Sequence, residues 1–447
     1  MAATSFLNLP QYRVLKVDED EHDYHVYVET ARPLKVCRHC GSVKVGKWGG
    51  AEQVVRDLPA HGKRVSLYVR AQRLRCEDCG RTAFEPLPAL ADGRRMTRRL
   101  VAWIGAQSLK RVFAAIADET GVDEKTIRNI FGDYVAERGR ETHFETPTWL
   151  GIDEIHILKR PRCVLANVES RTIVDLLSDR SKSTVAQRLF AFRDKTSIRY
   201  VAMDMWTPYR DAARAVLPKA IIVVDKFHVL RMANYAVEKV RKTLRETMSP
   251  KERRGLMHDR FILLKREANL DAQSRFLLDS WIALHPTLGA AYRLKEGFYG
   301  VYEARDRREA ERRFTRWAAQ LTPATREAFR PLTTAWKNWN PEILNYFDHR
   351  ITNAYTESLN SLIRVMNRVG RGYSFEALRA KMLYTEGLHK VERPKFVRRT
   401  SSGDVSPLMR LSDDAIGMMS PDELFGEHTN YGTDISTLAR RIEASTF

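Results

Sequence analysis

Hydrophobic and polar residues alternate near the start of this chain, and that alternation predicts β-structure. Tyr24, Val26 and Val28 occupy every second position, so one or two short strands are expected within residues 1–35. A similar alternation in RVSLYVRAQRLRC, which ends at Cys76, predicts a hairpin.

From Thr97 to about Arg140 the apolar residues follow helical spacing instead. The pattern predicts a short helix through Ala117, a turn at Gly121 and a second helix capped by Asp123. The second helix turns three apolar side chains inward: Ile127, Ile130 and Phe131. This is the helix-turn-helix pattern, in which the second helix enters the DNA major groove N-terminus first. The residues placed to read bases are Glu124, Lys125, Thr126, Arg128 and Asn129. A plain helical hairpin is the alternative.

From Trp149 onwards, short apolar runs and helical stretches follow in the order three strands, helix, strand, helix, strand. A mixed sheet of this order is typical of an RNase H-like nuclease core, in which carboxylates at strand ends project beyond the sheet edge. Asp153 lies in the first strand, Asp204 ends the fourth and Asp225 ends the fifth. Each aspartate alone could be a turn or cap residue, but three in equivalent positions predict a cluster.

Beyond Val229 the chain is helical and highly charged through about Pro341, with arginines and aromatic residues interleaved. We interpret most of these aromatic side chains as the core of a helical bundle, and we expect some arginine-rich faces to meet phosphate. After a later turn at Gly370–Gly372, the stretch FEALRAKMLY predicts a closing helix.

Between the bundle and that turn, Thr352–Arg368 predicts a strongly amphipathic helix. Its apolar stripe consists of Leu359, Leu362, Ile363 and Met366. The opposite face carries Glu357, Asn360, Ser361 and Arg364, with Asn353 close by. Judged alone, Glu357 is a solvated surface acid. If the aspartates converge on it, it becomes a candidate metal ligand, and Asn353, Asn360 and Arg364 then lie on or near a face that meets a DNA strand.

The composition narrows the range of partners. The 447 residues, 43% of them hydrophobic, are enough for two to four domains with a sizeable core. A formal net charge of +19 implies a polyanionic partner, because clustered Lys and Arg release counterions from phosphates. Nucleic acid is favoured over a membrane, because no apolar run approaches the ~20 residues that span a bilayer. The N-terminus lacks a secretory signal pattern, so we expect a soluble, intracellular protein.

Four of the five cysteines stand in two CxxCG motifs, in which two thiolates can grip a tetrahedral zinc ion while the glycine permits a tight turn. Together they predict one four-sulfur zinc site: Cys37, Cys40, Cys76 and Cys79. Such a site is structural, because no open position remains for chemistry. Replacement of one cysteine by His39 is the weaker alternative. Cys163 lies in an apolar run and is expected to be an inert buried thiol.

Hard oxygen ligands suit Mg²⁺ or Mn²⁺, and two such ions can activate an attacking oxygen and neutralise a leaving one. Two aspartates and a glutamate are the minimal protein contribution. Asp225 and His228 form a DxxH unit at a helix start, where the i, i+3 spacing places both side chains on one face. His228 could contact the scissile phosphate or orient a metal-bound water, or the pair could be a helix cap with a packed histidine.

The two CxxC motifs, the helix-turn-helix, GIDEIHI, VAMDMWTPYRDAARAVLP, VVDKFHV and TNAYTESLNSLIR, in this order, resemble the ISL3 family of bacterial insertion-sequence transposases. The resemblance extends to about Tyr384. It implies a DDE transposase whose RNase H-like core is interrupted by a helical insertion before Glu357. Because the second acid of that core follows the fourth strand, we expect Asp153, Asp204 and Glu357 to bind two Mg²⁺ or Mn²⁺ ions. A triad with Asp225 in place of Asp204 is the alternative.

The expected fold is therefore multidomain α+β, with a zinc ribbon-like module, a helix-turn-helix domain and an RNase H-like α/β catalytic core that contains a helical insertion. The expected boundaries are 1–90 for the zinc module, 91–145 for the helix-turn-helix, 146–248 and 346–392 for the core, 249–345 for the insertion and 393–447 for a polar tail with a possible short helix at Ser436–Ala444.

The expected partner is double-stranded DNA, at the element's terminal inverted repeats and at the target, with no membrane. Two ends must be brought together, which implies at least a homodimer in the synaptic complex. The expected location is the bacterial cytoplasm, on the nucleoid. The alternatives are a non-catalytic zinc and helix-turn-helix DNA-binding regulator derived from a transposase, and a structure-specific RNase H-like nuclease.

Overall fold

The computed structural model describes residues 7–32, 36–141 and 145–385. These residues form two compact units, one made of the described residues up to 141 together with 368–385, the other of residues 145–367. The predicted tail and its possible helix at Ser436–Ala444 lie outside the described residues. In the described part of the chain, no helix is both long and apolar enough to cross a bilayer.

The first unit contains a five-stranded sheet. Its strands are β1 (Tyr12–Glu19), β2 (Asp23–Thr30), β3 (Val45–Ala60), β4 (Lys63–Cys76) and β5 (Thr82–Phe84). The order is β1-β2-β4-β3, with β5 paired to β4. β1 and β2 confirm the strands predicted within residues 1–35. The hairpin predicted within RVSLYVRAQRLRC is wrong, because this segment is the single strand β4, which pairs in parallel with β2 and antiparallel with β3.

Three helices follow the sheet: α1 (Arg98–Lys110), α2 (Phe113–Thr120) and α3 (Glu124–Glu141). Asp57 of β3 is fully buried and accepts hydrogen bonds from Oγ1 of Thr97 at 2.7 Å and Nε of Arg99 at 2.8 Å. Because Thr97 also caps α1, this buried carboxylate fastens the first helix to the sheet.

The predicted helix-turn-helix is present. α2 ends at Gly121, whose φ of +67° is in the left-handed region that favours glycine. Asp123 precedes α3 and accepts a 2.9 Å hydrogen bond from the backbone N–H of Thr126. Ile127 and Ile130 are buried, as the helical spacing predicted.

The last described helix, α15 (Phe375–Thr385), belongs to this first unit. Its Lys381 is buried and donates hydrogen bonds to the backbone oxygens of Ser108 and Arg111, the latter at 2.9 Å. Both oxygens lie at the C-terminal end of α1, where backbone carbonyls have no partner within the helix. The segment 346–392, expected to form part of the catalytic core, is thus divided between the two units.

The second unit is built on a mixed five-stranded sheet of order β10-β9-β6-β7-β8. Its strands are β6 (Trp149–Ile157), β7 (Arg160–Asn167), β8 (Thr172–Leu177), β9 (Tyr200–Met203) and β10 (Ile221–Val224). The intervening helices are α4 (Lys182–Phe190) and α5 (Thr207–Val216), and α6 (Lys226–Leu244) leaves β10. The β6–β9 and β9–β10 pairs are parallel, whereas the β6–β7 and β7–β8 pairs are antiparallel. The predicted order of strands and helices is confirmed.

A helical region follows α6. It contains α7 (Pro250–His258), α8 (Arg260–Leu264), α9 (Ala272–Leu284), α10 (Pro286–Tyr302), α11 (Arg307–Ala318), α12 (Pro323–Asn338) and α13 (Asn340–His349). Its core is aromatic, as predicted, with Phe314 stacked on Trp336 at a ring-centroid distance of 4.0 Å and Trp317 buried. Asn345 of α13 donates to the carbonyl of Ile222 at 2.8 Å and so covers the edge of β10.

The final helix of this region is α14 (Ala354–Val369), the amphipathic helix predicted from the sequence. Leu359 and Ile363 of its apolar stripe are fully buried, whereas Leu362 and Met366 are half-buried. Because part of this stripe is buried, Glu357, one turn from the helix start, is held by a packed element.

Candidate active site

The three predicted aspartates share one register in the sheet. Ile152 of β6 pairs with Met203 of β9, which in turn pairs with Val224 of β10. The next residue along each strand is an aspartate: Asp153, Asp204 and Asp225. Neighbouring strands lie about 4.8 Å apart, so this register places the three carboxylates side by side at one edge of the parallel part of the sheet.

Asp153 is buried and firmly held. Its Oδ1 accepts a 2.7 Å hydrogen bond from the backbone N–H of Glu154, and its Oδ2 accepts a 2.8 Å hydrogen bond from the side-chain amide of Asn360. Burial and the neighbouring Asp204 raise the pKa of Asp153 well above its usual range. Asp204 has a buried Oδ1 with no hydrogen-bond partner among the described residues, and burial raises the pKa of Asp204 to about 6.

Asp225 and His228 stand at the start of α6. Asp225 is fully buried, and its Oδ1 accepts a 3.2 Å hydrogen bond from the backbone N–H of Phe227, as an N-cap does. Burial and nearby Glu357 raise the pKa of Asp225 to about 7. Burial and the adjacent Arg231 lower the pKa of His228 to about 4, so its imidazole is neutral near pH 7 and can offer a lone pair.

Glu357 reaches the site from α14. Its Oε1 lies 3.3 Å from Nη2 of Arg231 and 4.0 Å from Nε2 of His228. The Glu357 side chain is only 20% exposed, so it is not the solvated surface acid that its helix alone would predict.

The ligand atoms fall into two groups that share one residue. Asp153, Asp204 and His228 offer atoms that all lie within 4.8 Å of one another, and so do Asp225, His228 and Glu357. The structure thus brings all five predicted catalytic residues together, but it places Glu357 beside Asp225 rather than in one group with Asp153 and Asp204. Carboxylate oxygens without partners and a neutral imidazole form a donor set that fits Mg²⁺ or Mn²⁺.

The start of α14 is locked onto β6 beside Asp153. Asn353 donates to the carbonyl of Ile152 at 3.3 Å and accepts a hydrogen bond from the hydroxyl of Thr356. A Cβ at Gly151 would lie 2.5 Å from Oδ1 of Asn353 and 2.6 Å from Oγ1 of Thr356. Only a residue without a side chain therefore allows this close contact.

Two residues predicted for the DNA-facing side of α14, Asn353 and Asn360, are 0% and 3% exposed. Their side-chain amides donate to the carbonyl of Ile152 and to Asp153 on β6, and DNA contact by either residue stays a prediction. Helical periodicity distinguishes the apolar stripe from the polar residues, but a buried polar partner such as the Asp153 carboxylate reverses that assignment. Arg364 is exposed and lines the same cleft as Asp153 and Asp204.

That cleft is open, with a volume of about 660 Å³, and carries aromatic and basic side chains beside the acids. Trp206, two residues after Asp204, is 37% exposed, and the Arg180 guanidinium lies 4.3 Å from the centre of its ring. Arg180 also forms an ion pair with Glu154, which lines the cleft. An exposed tryptophan beside acids and arginines is suited to contact a nucleic acid strand.

Two residues beside these acids, Arg231 and Glu154, are not among the residues predicted for the site. Arg231 is three residues beyond His228 on α6, so the helical spacing that paired Asp225 with His228 also pointed to it. Glu154 is adjacent to Asp153, but nothing in the sequence indicates its ion pair with Arg180, because the two residues lie on different elements.

In the helix-turn-helix, the predicted base-reading residues divide into two kinds. Lys125 and Asn129 are exposed on α3. The Thr126 hydroxyl donates to Asp123 at 2.6 Å, and Nε of Arg128 donates to Glu124 at 3.0 Å. The Thr126 and Arg128 side chains therefore already form hydrogen bonds within the motif.

The four predicted zinc ligands converge in the first unit. Their sulfurs all lie within 4.8 Å of one another, with 3.6 Å between Cys37 and Cys79 and between Cys40 and Cys76. A tetrahedron with zinc–sulfur bonds of about 2.3 Å has edges of about 3.8 Å, so the cluster fits one zinc ion. Backbone N–H groups of His39 and Cys40 lower the pKa of the Cys37 thiol to about 6, which favours the thiolate that zinc requires.

Three family profiles match successive parts of the chain. The zinc-finger of transposase IS204/IS1001/IS1096/IS1165 matches residues 33–79, and the helix-turn-helix domain of transposase family ISL3 matches residues 85–135. A profile of the ISL3 family described as transposase matches residues 150–382, which is more than half of the chain.

Curated relatives are similar over most of their length. The transposase for insertion sequence element IS1001 of Bordetella parapertussis is 26% identical over 358 residues, which cover 78% of this chain and 87% of the relative. The transposase for insertion sequence element IS1557 of Mycobacterium tuberculosis is 24% identical over 418 residues, which cover 84% of this chain and 92% of the relative.

Proposed function

This chain belongs to the ISL3 family of DDE transposases, and on that premise we propose that it cuts and joins DNA at the ends of an insertion sequence with Asp153, Asp204 and Glu357 as metal ligands. The observation that carries the assignment is the proximity of Asp153 and Asp204 on neighbouring parallel strands, where their ligand atoms lie within 4.8 Å of each other. α14 brings Glu357 to the same edge, within 4.0 Å of His228.

Each acid has a distinct position in the proposed site. Asp153 and Asp204 would hold one divalent cation, and Glu357 would take part in holding a second. Bound Mg²⁺ or Mn²⁺ ions supply the positive charge that activates an attacking oxygen and neutralises a leaving one. Asn360 orients Asp153 through its 2.8 Å hydrogen bond, so that one carboxylate oxygen keeps a fixed direction.

The DNA chemistry proposed here has two steps. Water attacks a phosphodiester at an element end, the bond between phosphorus and the 3′ oxygen breaks, and a 3′-hydroxyl is released. That 3′-hydroxyl then attacks the phosphorus of a phosphodiester in a second strand. A new phosphodiester bond forms, the bond from phosphorus to the 3′ oxygen of the attacked strand breaks, and that oxygen leaves as a hydroxyl. Arg231 and Arg364 line the cleft and are placed to contact the phosphates. No covalent enzyme intermediate is required.

DNA recognition is assigned to the first unit. The helix-turn-helix binds DNA, and we propose that α3 reads the terminal inverted repeats through Lys125 and Asn129, which are its exposed candidates. The four-cysteine site holds a structural zinc ion that stabilises the adjacent sheet. We also propose the domain boundaries predicted from the sequence, with the difference that residues 368–385 of the predicted core belong to the first unit.

The assembly proposed for the reaction contains at least two copies of the chain, because two element ends must be joined to one target. Its substrate is bacterial DNA, so the proposed location is the cytoplasm, on the nucleoid.

A DNA fragment with the element ends, incubated with the full-length protein and Mg²⁺ or Mn²⁺, tests the proposal. Asp153→Ala, Asp204→Ala and Glu357→Ala should each abolish cleavage while binding to the ends persists. Glu169→Gln, an exposed acid in the turn between β7 and β8, is the matched control and should cleave normally. A wild-type protein that binds the ends and never cuts them would instead be a binding-only regulator.

A further inference from the structure

Asp225 is the most deeply buried acid of the cluster, and helix capping does not account for both of its oxygens. The residue is 0% exposed. Its Oδ1 accepts the N–H of Phe227, but its Oδ2 has no hydrogen-bond partner among the described residues. Buried carboxylate oxygens are normally paired, so an orphaned one that faces other ligand atoms indicates a group that binds there.

Two further residues offer ligand atoms close to Asp225. Nε2 of His228 is buried and also has no hydrogen-bond partner among the described residues. Oε1 of Glu357 lies 4.0 Å from that nitrogen, and the ligand atoms of Asp225, His228 and Glu357 all lie within 4.8 Å of one another. They come from the end of β10, the first turn of α6 and the first turn of α14, three elements that converge on one point.

We propose that Asp225, His228 and Glu357 form a second divalent-cation position next to the one held by Asp153 and Asp204, and that His228 is an inner-sphere ligand there. The inference rests on the proposed two-ion function and adds Asp225 and His228 to its ligands. In this arrangement Asp204 is a ligand of the first cation and Asp225 is a ligand of the second.

His228 is assigned to the second position by its chemistry. An imidazole nitrogen has one lone pair and binds one cation at a time. Each position has two carboxylates, Asp153 and Asp204 in the first and Asp225 and Glu357 in the second. Arg231 competes for Glu357 at 3.3 Å, and Nε2 of His228 lies 4.0 Å from the same Oε1, so the second position gains most from a further ligand. Because the Arg231 side chain is 46% exposed, it can release Glu357 and turn to a DNA phosphate when a cation is bound.

The nitrogen ligand sets the metal preference. Carboxylate-only positions suit both Mg²⁺ and Mn²⁺, but Mn²⁺, a transition metal, accepts an imidazole ligand more readily than Mg²⁺ does. The second position should therefore prefer Mn²⁺ to Mg²⁺ more strongly than the first position does.

Electron spin-echo spectroscopy of Mn²⁺ bound to the full-length, zinc-loaded protein tests the inference, together with calorimetric Mn²⁺ stoichiometry. The wild type should bind two Mn²⁺ ions and show the modulation of a directly coordinated ¹⁴N nucleus. His228→Gln should lose the ¹⁴N signal, and Asp225→Asn should bind one ion. Asparagine is a good N-cap, so Asp225→Asn keeps the start of α6.

Matched variants separate the possible outcomes. His156→Gln, an exposed histidine that lines the same cleft, should keep the ¹⁴N signal. Asp153→Asn should lose one ion and keep the signal. Wild-type protein that cleaves DNA and binds two ions without any ¹⁴N signal overturns the inference and leaves the proposed function intact. Protein that neither binds Mn²⁺ nor cleaves DNA overturns both.

Discussion

The side-chain amide of Asn360 donates a 2.8 Å hydrogen bond to Oδ2 of Asp153, although 207 residues separate them in the sequence. The same amide lies 3.3 Å from the carbonyl of Glu154. Glu357 is one turn earlier on the same helix. α14 thus supplies one acid directly and fixes the direction of another.

Replacing Asn360 should therefore impair catalysis more than folding. In Asn360→Ala the Asp153 carboxylate loses its orienting partner, and cleavage should fall about 10–100-fold, as for other residues that position metal ligands. The rate of DNA-end cleavage and the Mn²⁺ affinity are the quantities to compare. Ser361→Ala, at the next and exposed position of α14, is the control and should change neither. Unaltered Mn²⁺ affinity and rate in Asn360→Ala would contradict the positioning role.

Gly151→Ala should disturb the site through α14. The added Cβ would lie 2.5 Å from Oδ1 of Asn353, so the start of the helix must shift. We expect a loss of about 1–3 kcal/mol in the free energy of unfolding, as for overpacked cores, and a larger loss of cleavage.

Gly300→Ala, in α10 of the same unit, is the matched control, because nothing lies within 4 Å of a Cβ there. It should stabilise the helix by up to about 1 kcal/mol. Equal unfolding free energies for Gly151→Ala and the wild type would show that the contact can relax.

Much of the fold was predictable because its signals are local. Gly121 and Asp123 mark the end of one helix and the start of the next by their own backbone and side-chain chemistry. The three aspartates could be assigned to strand ends because the spacing of apolar residues indicates the order of strands and helices. The two CxxC motifs predicted that their four cysteines lie together.

What the sequence could not supply depends on contacts between distant residues. β4 resembles a hairpin in isolation, and its true partner β3 contains the glycines Gly46, Gly49 and Gly50, which weaken its strand signal. Asn360 has the spacing of an exposed residue, yet it is 3% exposed and donates to Asp153, a residue that its own helix does not reveal. The grouping of Glu357 with Asp225 rather than Asp204 depends on how α14 packs beside strands that lie far away in the sequence, which no local pattern specifies.

Lys125 and Asn129 should contribute to DNA binding in different ways. Lys125→Ala should weaken binding to all sequences and reduce the salt slope by about 1, as expected for one lost phosphate contact. Asn129→Ala should cost about 1–3 kcal/mol at one base pair and leave binding to other sequences unchanged. Binding isotherms at several salt concentrations, with matched and substituted repeats, separate the two effects. Identical losses on every sequence would argue against base reading by Asn129.

Removal of one zinc ligand should release the metal. Cys76 is buried beside Cys40, so Cys76→Ser should lose about one equivalent of zinc and unfold the sheet around β4. Elemental analysis and circular dichroism report the two effects. Cys163→Ser removes a thiol that is buried in the other unit, and should keep the full zinc content. Full zinc in Cys76→Ser would contradict the four-sulfur site.

Lys381 should make the stability of the first unit depend on alkaline pH. Burial lowers the pKa of this lysine to about 8, from an ordinary value of 10.5, so the folded state disfavours the charged amine. The penalty is complete below pH 8 and disappears as pH rises towards 10.5, because the unfolded chain then also loses its proton. The free energy of unfolding of the wild type should therefore rise relative to Lys381→Met across this window.

Methionine leaves the carbonyls of Ser108 and Arg111 without a donor at every pH, which shifts the difference in unfolding free energy but not its slope against pH. Denaturant unfolding at pH 7.5, 9 and 10.5 measures the slope, and a constant difference would show that the hydrogen bonds to these carbonyls keep the amine charged.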